Sequence, residues 1–445
     1  MRVLVIDTET LFLDFVLRAA AAGHDVRWYR HSPRKPIHDG DGFAGFQRVT
    51  DWRAHMAWAR EGLIVNTGNA ALLHEIDRYR ELPGYDRAIF GPSVASARLE
   101  IDRGAGMEAF KAIGVDLVPY QTVASLDEAE AVARRTDRPL VFKPAGSTED
   151  KSATYVAKDP SDLVGWIRRK KARGGLGRGP FMLQDKLDMV GELSVAGWFG
   201  PEGFLPGKWN VCAEFKKFMP GDIGMATGEM GSVTQYVRTD KLAAEVLEPL
   251  APILRTLGHR GDICVSGGMD ARGQFFPFEF TCRFGYPAFF NQGACHRGDP
   301  VEWMRDLLAG RDTLRVSHDV CVSVVLGAGR FPHNATPPDQ IEGLPIAGVE
   351  DVIDDLHLCQ VMRGMAPVMQ GGDVVDVPTC QVAGEYVAVA TGTGPTVEVA
   401  RKSVYATVDA VAFPDKMYRN DIGCSLRESL PKFHAHGYYA DMRYD

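Results

Sequence analysis

Lys143 is the first residue whose position suggests phosphate chemistry. It closes the apolar run 140–142 and precedes a turn of small residues, 144–148. A lysine placed in this way can direct its ammonium group at a nucleotide phosphate, while backbone N–H groups of the turn bind the next phosphate. Lys151 and Ser152 follow, but the spacing is not that of a P-loop. A lysine that ends a strand only for solubility is the alternative interpretation.

Glu279 and Thr281 suggest a metal site. They lie two residues apart in the run 275–281, and alternation along a strand puts both side chains on one face. A carboxylate beside a second oxygen ligand suits Mg²⁺, which takes few protein oxygens and shares the rest with phosphates and water. Both residues are therefore predicted metal ligands, with a lone exposed glutamate as the alternative.

Further charged residues lie next to glycines, which let a backbone approach a ligand closely. Arg283 follows the run 275–281 and offers a fixed fork of donors for carboxylate or phosphate oxygens. Lys216 and Asp222 lie in the glycine-punctuated segment 214–232. These three side chains are candidates for holding anionic groups.

The elements that must position these residues fall into three predicted parts. Residues 1–92 alternate short apolar runs with helical stretches, the pattern of a doubly wound parallel sheet. Ligands of such sheets bind at the carboxyl ends of the strands, where Asp7 and the segment 66–69 fall; helix capping is the alternative role for these polar residues. Residues 93–315 combine helices with antiparallel strands, and 316–445 are predicted to form a small β-rich domain.

Composition narrows the class of protein. The net charge of -8 argues against a general nucleic-acid binder. No apolar run approaches the roughly 18 residues of a bilayer span, and the run 1–7 resembles a buried strand more than a signal peptide. The 8 cysteines form no Cys-x-x-Cys pair, which favours a cytoplasmic enzyme without membrane contact. The basic stretch 168–179 is predicted to be a loop, either solvated or in contact with a polyanion.

Three runs taken together resemble the glycinamide ribonucleotide synthetases (phosphoribosylamine–glycine ligases) of the ATP-grasp superfamily. They are Asp222-x-Gly-x-x-Thr-Gly-Glu-Met-Gly231, Glu279-Phe-Thr-Cys-Arg-Phe-Gly-Tyr-Pro287 and Tyr418-Arg-Asn-Asp-Ile-Gly423. The resemblance implies a mixed α/β and α+β protein with an ATP-grasp core, in which about 115–185 form the ATP-binding lid. It also implies ATP and Mg²⁺ as cofactors. In the implied reaction ATP phosphorylates a carboxylate and an amine attacks the acyl phosphate, which requires charge neutralisation around the phosphoryl oxygens.

The resemblance also implies roles for individual residues. Nucleotide contacts are implied for Arg103, Lys143, Gly146, Ser147, Lys151, Gln184, Asp185, Leu187 and Glu192. Glu279 and Thr281 are implied metal ligands, and the implied catalytic residues, which position the substrates, are Arg283, Lys216 and Asp222. Substrate contacts are implied for Thr227, Gly228, Met230, Gly231 and Ser232, and the strand-end argument adds Asp7.

Several positions depart from the family pattern. In the nucleotide half they are Thr281 for an asparagine, Glu229 for a glycine, Gln184-Asp185 for two acids and Arg103 for a lysine. In the N-terminal part the stretch 7–10, Asp-Thr-Glu-Thr, stands where the family has a glycine-rich turn and Arg-Glu-His that hold a phosphoribosyl group. An acid at a phosphate position is unfavourable on electrostatic grounds.

These departures predict a ligase that joins an amino acid, with glycine as one candidate, to an amine other than phosphoribosylamine. An amine on a nucleotide or modified nucleic-acid base is one acceptor left open by the basic stretch 168–179. The alternatives are an ordinary glycinamide ribonucleotide synthetase and a catalytically degenerate binding or scaffold protein. A monomer and a homodimer are both compatible with the sequence.

Overall fold

The computed structural model of the protein describes residues 1–445 except 33–37, 146–153, 175 and 177–178. Its first sheet contains β1 (Arg2–Asp7), β2 (Asp25–Arg30), β3 (Phe46–Val49), β4 (Leu63–Asn66) and β5 (Ile89–Phe90). All neighbouring strands are parallel, in the spatial order β3-β2-β1-β4-β5, which confirms the predicted doubly wound sheet. The connecting helices are α1 (Leu13–Ala21), α2 (Arg53–Ala59) and α3 (Leu73–Arg80).

The strand order of this sheet reverses at β1. β2 and β3 lie on one side of β1, and the chain then crosses from β3 to β4 on the other side, so the carboxyl ends of β1 and β4 border a crevice. β1 and β4 are nearly continuous apolar runs because helices cover both faces of a parallel sheet. Asp7 and Asn66 are the last residues of these two strands and lie at the crevice.

A smaller antiparallel sheet follows, with the order β6-β9-β7-β8. The helical stretch before this sheet is divided into two helices, because Asp102 adopts an extended backbone and caps the second helix through the N–H groups of Gly104 and Ala105. The elements are α4 (Val94–Ile101), α5 (Arg103–Ala112), β6 (Tyr120–Val123), α6 (Leu126–Ala133), β7 (Leu140–Pro144), β8 (Tyr155–Val156), α7 (Pro160–Ala172) and β9 (Phe181–Asp185).

The prediction of a loop over 168–179 is wrong for its first five residues. These belong to α7, whose apolar side chains Leu163, Trp166 and Ile167 are buried and hold the helix in place. The basic residues Arg168 and Lys171 lie 2.9 Å and 3.2 Å from carboxylate oxygens of Glu130 on α6. Their charges are thus engaged within the protein.

The central antiparallel sheet has the order β17-β16-β10-β12-β15-β20-β25-β22, with β11 paired to β10. Its first part and the flanking elements are β10 (Met189–Gly200), β11 (Gly203–Phe204), β12 (Trp209–Glu214), β13 (Lys217–Met219), β14 (Ile223–Ala226), β15 (Gly231–Val237), a π-helical turn (Ala243–Leu247), α8 (Glu248–Thr256), β16 (Gly261–Asp270), β17 (Phe275–Thr281), α9 (Ala288–Cys295), β18 (His296–Arg297), α10 (Glu302–Leu308) and β19 (Arg315–Val316).

The C-terminal part continues this sheet. β20 pairs with β15, so the hydrogen-bonded ladder crosses the predicted boundary at 315/316, and the division of the chain at that point stays a prediction. The elements are β20 (Val320–Gly327), α11 (Pro338–Ile341), β21 (Pro345–Ile346), a 3₁₀ turn (Glu350–Val352), β22 (Leu356–Leu358), β23 (Val361–Gln370), β24 (Asp373–Val382), β25 (Tyr386–Gly394), α12 (Val397–Ala410) and α13 (Leu426–Ala435). None of the helices described is long and apolar enough to cross a bilayer.

Candidate active site

Lys143 lies on β7 and is almost completely inside the protein, with 8% of its surface exposed. Its Nζ donates a hydrogen bond of 2.7 Å to Oε1 of Gln184 on β9. Burial lowers the pKa of the Lys143 ammonium to about 7, and the nearby Arg103 guanidinium acts in the same direction. Burial without sufficient opposite charge disfavours the ammonium form. A phosphate group bound beside Lys143 would supply this opposite charge.

Apolar side chains pack beside this lysine. Gly268 lies within β16, and a Cβ added there would lie 2.8 Å from Phe278 and 3.0 Å from both Leu187 and Met189. A glycine inside a strand often marks a close approach of another group, and here these three side chains make that approach. The lysine nitrogen is 5.3 Å from the centre of the Phe278 ring. Nε2 of Gln184 is enclosed and has no hydrogen-bond partner among the described residues.

Glu279 and Thr281 both lie on β17, two residues apart, as the sequence predicted. The carboxylate of Glu279 is 3.9 Å from Nη1 of Arg103 and 3.8 Å from Nζ of Lys216. In the part of the chain that the structure describes, no group of three or more histidine, cysteine or acidic side chains could form a metal cage by itself. A cation bound here would take part of its ligands from phosphates and water, as Mg²⁺ does.

Lys216 lies at the centre of an acidic cluster. Its Nζ is 2.8 Å from Glu214, 3.6 Å from Glu192 and 3.8 Å from Glu279. Burial opposes the charged form, but these three carboxylates hold the pKa of Lys216 well above its usual range. The ammonium group therefore stays charged, and it is fixed beside the predicted metal residue Glu279.

Arg283 lies near the junction between the first sheet and the central sheet. Its Nε is 3.5 Å from Oε1 of Glu100, a buried side chain that also accepts a 2.7 Å hydrogen bond from the N–H of Cys282. Burial opposes the charge on Arg283, while the carboxylates of Glu100 and Glu9 raise its pKa. Acids of the protein thus already balance this guanidinium.

Asp222 lies between β13 and β14 and has a mostly exposed side chain. Its Oδ1 accepts a 2.8 Å hydrogen bond from Arg419, which is fully buried and also bonds to Asp421 and to the carbonyl of Lys217. These contacts join the segment 418–423 to the hairpin of β13 and β14. The contacts of Asp222 are those of an anchor for the hairpin, and its catalytic role stays a prediction.

The loop between β14 and β15 divides into an open half and a buried half. Thr227 is partly exposed and Gly228 is exposed. Met230 and Ser232 are buried, and Gly231 is packed against the neighbouring strand with no room for a Cβ. Met230, Gly231 and Ser232 lie inside the sheet and support the open half of the loop, and their contact with substrate stays a prediction.

Asp7 ends β1 and is fully buried. Its carboxylate accepts hydrogen bonds from the backbone N–H groups of Glu9 (3.1 Å), Thr10 (2.8 Å) and Phe12 (3.2 Å). Thr67 adds a hydroxyl at 3.3 Å. Burial raises the pKa of the Asp7 carboxyl, and the three N–H groups oppose this effect. The oxygens of Asp7 are thus hydrogen-bonded within the protein, and its contact with substrate stays a prediction.

The remaining predicted nucleotide contacts are Gly146, Ser147, Lys151 and Asp185. The first three lie outside the described residues. Asp185 ends β9 and lies 3.0 Å from Nε of Arg138, with which it forms an ion pair. The roles of these four residues stay predictions.

Comparison with known proteins was made at the level of sequence and of fold. No family model matches the chain. The phosphoribosylamine–glycine ligase of Ralstonia nicotianae is 26% identical over 345 residues, which cover 75% of this chain and 78% of that protein. The crystal structure of the phosphoribosylamine–glycine ligase of Thermotoga maritima superposes with a TM-score of 0.70 at 21% identity, over 95% of this chain and 100% of that one. This chain is a divergent relative of the phosphoribosylamine–glycine ligases, with the ATP-grasp fold.

The ATP-grasp ligase belongs to a class of enzymes that form C–N bonds with ATP and Mg²⁺. A further structure of this fold, the biotin carboxylase domain of 2-oxoglutarate carboxylase from Hydrogenobacter thermophilus, was solved with MgADP. It superposes with a TM-score of 0.60 at 13% identity, over 94% of this chain and 91% of that one. The site of the ligase fits this cofactor: the apolar side chains of Leu187 and Phe278 and the enclosed Nε2 of Gln184 suit a base, and buried Lys143 suits a phosphate.

Sequence reasoning missed two parts of the ligase site. Gly268 was detectable, because it belongs to a Gly-Gly pair inside an apolar strand, where glycine marks a close backbone approach. Glu100 was not detectable, because an acid within a helix carries no mark of burial. Only the fold brings it to Arg283.

Proposed function

We propose that this ligase uses ATP to phosphorylate the carboxylate of an amino acid, with glycine as the first candidate, and transfers the acyl group to an amine other than phosphoribosylamine. The observation that carries the proposal is the carboxylate of Asp7 in the loop after β1. A row of backbone N–H groups in such a loop is a ready binding site for an anion. Here an internal carboxylate uses these donors.

A phosphorylated acceptor would meet a second obstacle at the same place. Glu9 follows Asp7 in the loop, and its carboxylate lies next to Thr8 and near Arg283. Like charges repel each other at close range, so a phosphate beside the Glu9 carboxylate is disfavoured. Arg283 does not remove this penalty, because Glu100 already balances it.

The other residues of the site support the shared phosphoryl chemistry. Bound MgATP supplies the phosphoryl group. Lys143 and Arg103 would neutralise phosphate oxygens, Gln184 would bind the base through Nε2, and Glu279 with Thr281 would hold the metal ion. Groups fixed before the reaction stabilise developing charge without reorganisation.

Further parts of the proposal concern partners and location. An amine on a modified nucleic-acid base loses its main support, since Arg168 and Lys171 are paired with Glu130. A small amine is the better candidate for the acceptor. We also propose that the ligase is cytoplasmic and that it is a monomer or a homodimer.

The test is release of ADP by the purified enzyme. MgATP is supplied with each proteinogenic amino acid, glycine first, and with a panel of amines that includes phosphoribosylamine, and products are identified by mass spectrometry. We expect the enzyme to release ADP and to form an amide with at least one amine that carries no phosphate. Amide formation with phosphoribosylamine alone would overturn it.

The second candidate is an ordinary glycinamide ribonucleotide synthetase, favoured by the 26% identity to the Ralstonia nicotianae enzyme over three quarters of the chain. Complementation of a purine auxotroph that lacks this enzyme separates the two functions. Growth without purine would favour the second candidate. Failure to grow, with the protein shown to be expressed, favours the first.

A further inference from the structure

Glu229 lies in the loop between β14 and β15, where the family resemblance implies glycine. Its side chain is partly exposed, but its Oε1 is enclosed and has no hydrogen-bond partner among the residues described. Tyr386 on β25 presents a second enclosed atom, since its hydroxyl also lacks a partner among them. Burial raises the pKa of the Tyr386 hydroxyl well above its usual value, and Cys359 and Glu229 act in the same direction. Polar atoms seldom stay unpaired inside a protein, so the two together mark a place for a polar ligand.

The surroundings of Glu229 are acidic. Burial raises the pKa of its carboxyl well above the usual value, and Glu214 acts in the same direction against the opposing charge of Lys216. Lys216 already lies 2.8 Å from Glu214. The titratable groups of the packed elements that interact with the Glu229 carboxyl are Glu192, Cys212, Glu214, Lys216, Cys264 and Tyr386. The surroundings of Glu229 therefore contain one cation, Lys216, among several acids, and they suit a second cation.

Glu229 lies beside the predicted metal residue Glu279. The N–H groups of Thr227 and Met230, on either side of Glu229, donate 2.8 Å hydrogen bonds to the carbonyls of Lys216 and Phe215, and Nζ of Lys216 is 3.8 Å from Glu279. A ligand cation at Glu229 is therefore close to the place where the activated carboxylate would form. The acceptor amine of a ligase is such a cation, because alkyl amines are ammonium ions at neutral pH.

We propose that Glu229 receives the acceptor: its carboxylate holds the ammonium group and takes one proton from it, which frees the lone pair with which the amine then attacks the acyl phosphate. This inference rests on the proposed function. The nitrogen lone pair forms the C–N bond, and the bond between the acyl carbon and the phosphate oxygen breaks with its electron pair leaving on phosphate. Of the three ammonium protons, one stays in the amide, one goes to Glu229 and one leaves with the phosphate.

The experiment compares two nucleophiles that differ in protonation. Hydroxylamine is neutral at pH 7 and traps the acyl phosphate as a hydroxamate, whereas methylamine is an ammonium ion and needs a base. The wild type, Glu229→Gln, Glu229→Gly and the exposed control Glu61→Gln are assayed with MgATP and the proteinogenic amino acids, glycine first. General base catalysis contributes about 100-fold or more, so both Glu229 variants should lose at least that factor with methylamine and retain hydroxamate formation.

A pH profile separates a base from a structural role. Amide formation by Glu229→Gln should regain rate as pH rises and methylamine loses its own proton, while the wild type should reach its plateau at lower pH. Equal loss of hydroxamate and amide in the Glu229 variants would overturn the inference and leave the proposed function standing. Absence of hydroxamate from the wild type with every amino acid would instead contradict the proposed function.

Discussion

The polar groups of the predicted phosphoryl site (Lys143, Gln184 and Glu279) and those of the loop after β1 differ in whether the protein itself satisfies them. At the phosphoryl site Lys143 is buried with a pKa lowered to about 7, and Nε2 of Gln184 has no hydrogen-bond partner among the described residues. In the loop after β1 the N–H groups of Glu9, Thr10 and Phe12 all bond to one carboxylate of the protein. Donors in the first region remain available to a ligand, whereas the N–H donors of the second region are hydrogen-bonded to the protein itself.

The two regions illustrate two ways in which a binding site can change while the fold stays the same. Unsatisfied buried groups cost free energy, so a site that keeps them is prepared for a ligand. A loop that satisfies its own donors gains stability and loses a ligand. The ligase thus has open groups at the predicted phosphoryl site and internally paired groups in the loop after β1, and this contrast is the basis for proposing an acceptor without a phosphate.

The largest expected effect comes from the phosphoryl site. Glu279→Gln removes the charge of the predicted metal ligand and leaves its size unchanged. Loss of one fixed electrostatic group costs about 100-fold to 1000-fold in turnover, so ADP release in the hydroxylamine assay should fall by that factor. Glu61→Gln, which replaces an exposed glutamate paired only with its neighbour Arg60, is the matched control. Turnover of Glu279→Gln at the wild-type level would remove this residue from the site.

The next effect concerns the closed loop. Asp7→Ala frees three buried N–H groups, so the free energy of unfolding should fall by about 1–3 kcal/mol. The vacated loop should then bind an anion, and added inorganic phosphate should raise the melting temperature of Asp7→Ala more than that of the wild type. Asp7→Asn, which keeps one acceptor oxygen, should fall between them. An equal phosphate response in all three proteins would show that Asp7 does not occupy an anion site.

The smallest effect is a proton linked to ATP binding. The pKa of Lys143 is about 7 in the free enzyme and should return toward its usual value of about 10.4 beside a phosphate. ATP affinity should therefore be nearly constant with respect to this group below pH 7 and fall about tenfold for each pH unit above it. Calorimetry at pH 8 in two buffers of different ionisation heat should detect uptake of close to one proton, and Lys143→Met should abolish it. Uptake that persists in the variant would assign the proton to another group.

Local patterns predicted the elements and the main charged residues. The apolar runs of β1, β4 and β7 identify strands because burial of both faces demands continuous apolar sequence. Lys143 and Glu279 were detectable because each is a charged residue in such a run. The family resemblance then joined them in one site, and the fold agrees with that resemblance.

Properties that depend on packing were not predictable. The sequence does not say that Asp7 bonds to its own loop, because this needs the positive φ of Thr10 and the turn that follows. Nor does it show that β20 joins the central sheet through β15, since pairing between distant strands leaves no local pattern. The burial of Ser232 has the same cause.

The central claim is that the phosphoryl chemistry is retained while the acceptor site excludes phosphoribosylamine. The most direct measurement is ADP release and product formation by the purified enzyme with MgATP and glycine, first with hydroxylamine and then with phosphoribosylamine. We expect a hydroxamate in the first reaction and no glycinamide ribonucleotide in the second. Turnover with phosphoribosylamine at least as fast as with hydroxylamine would contradict the account.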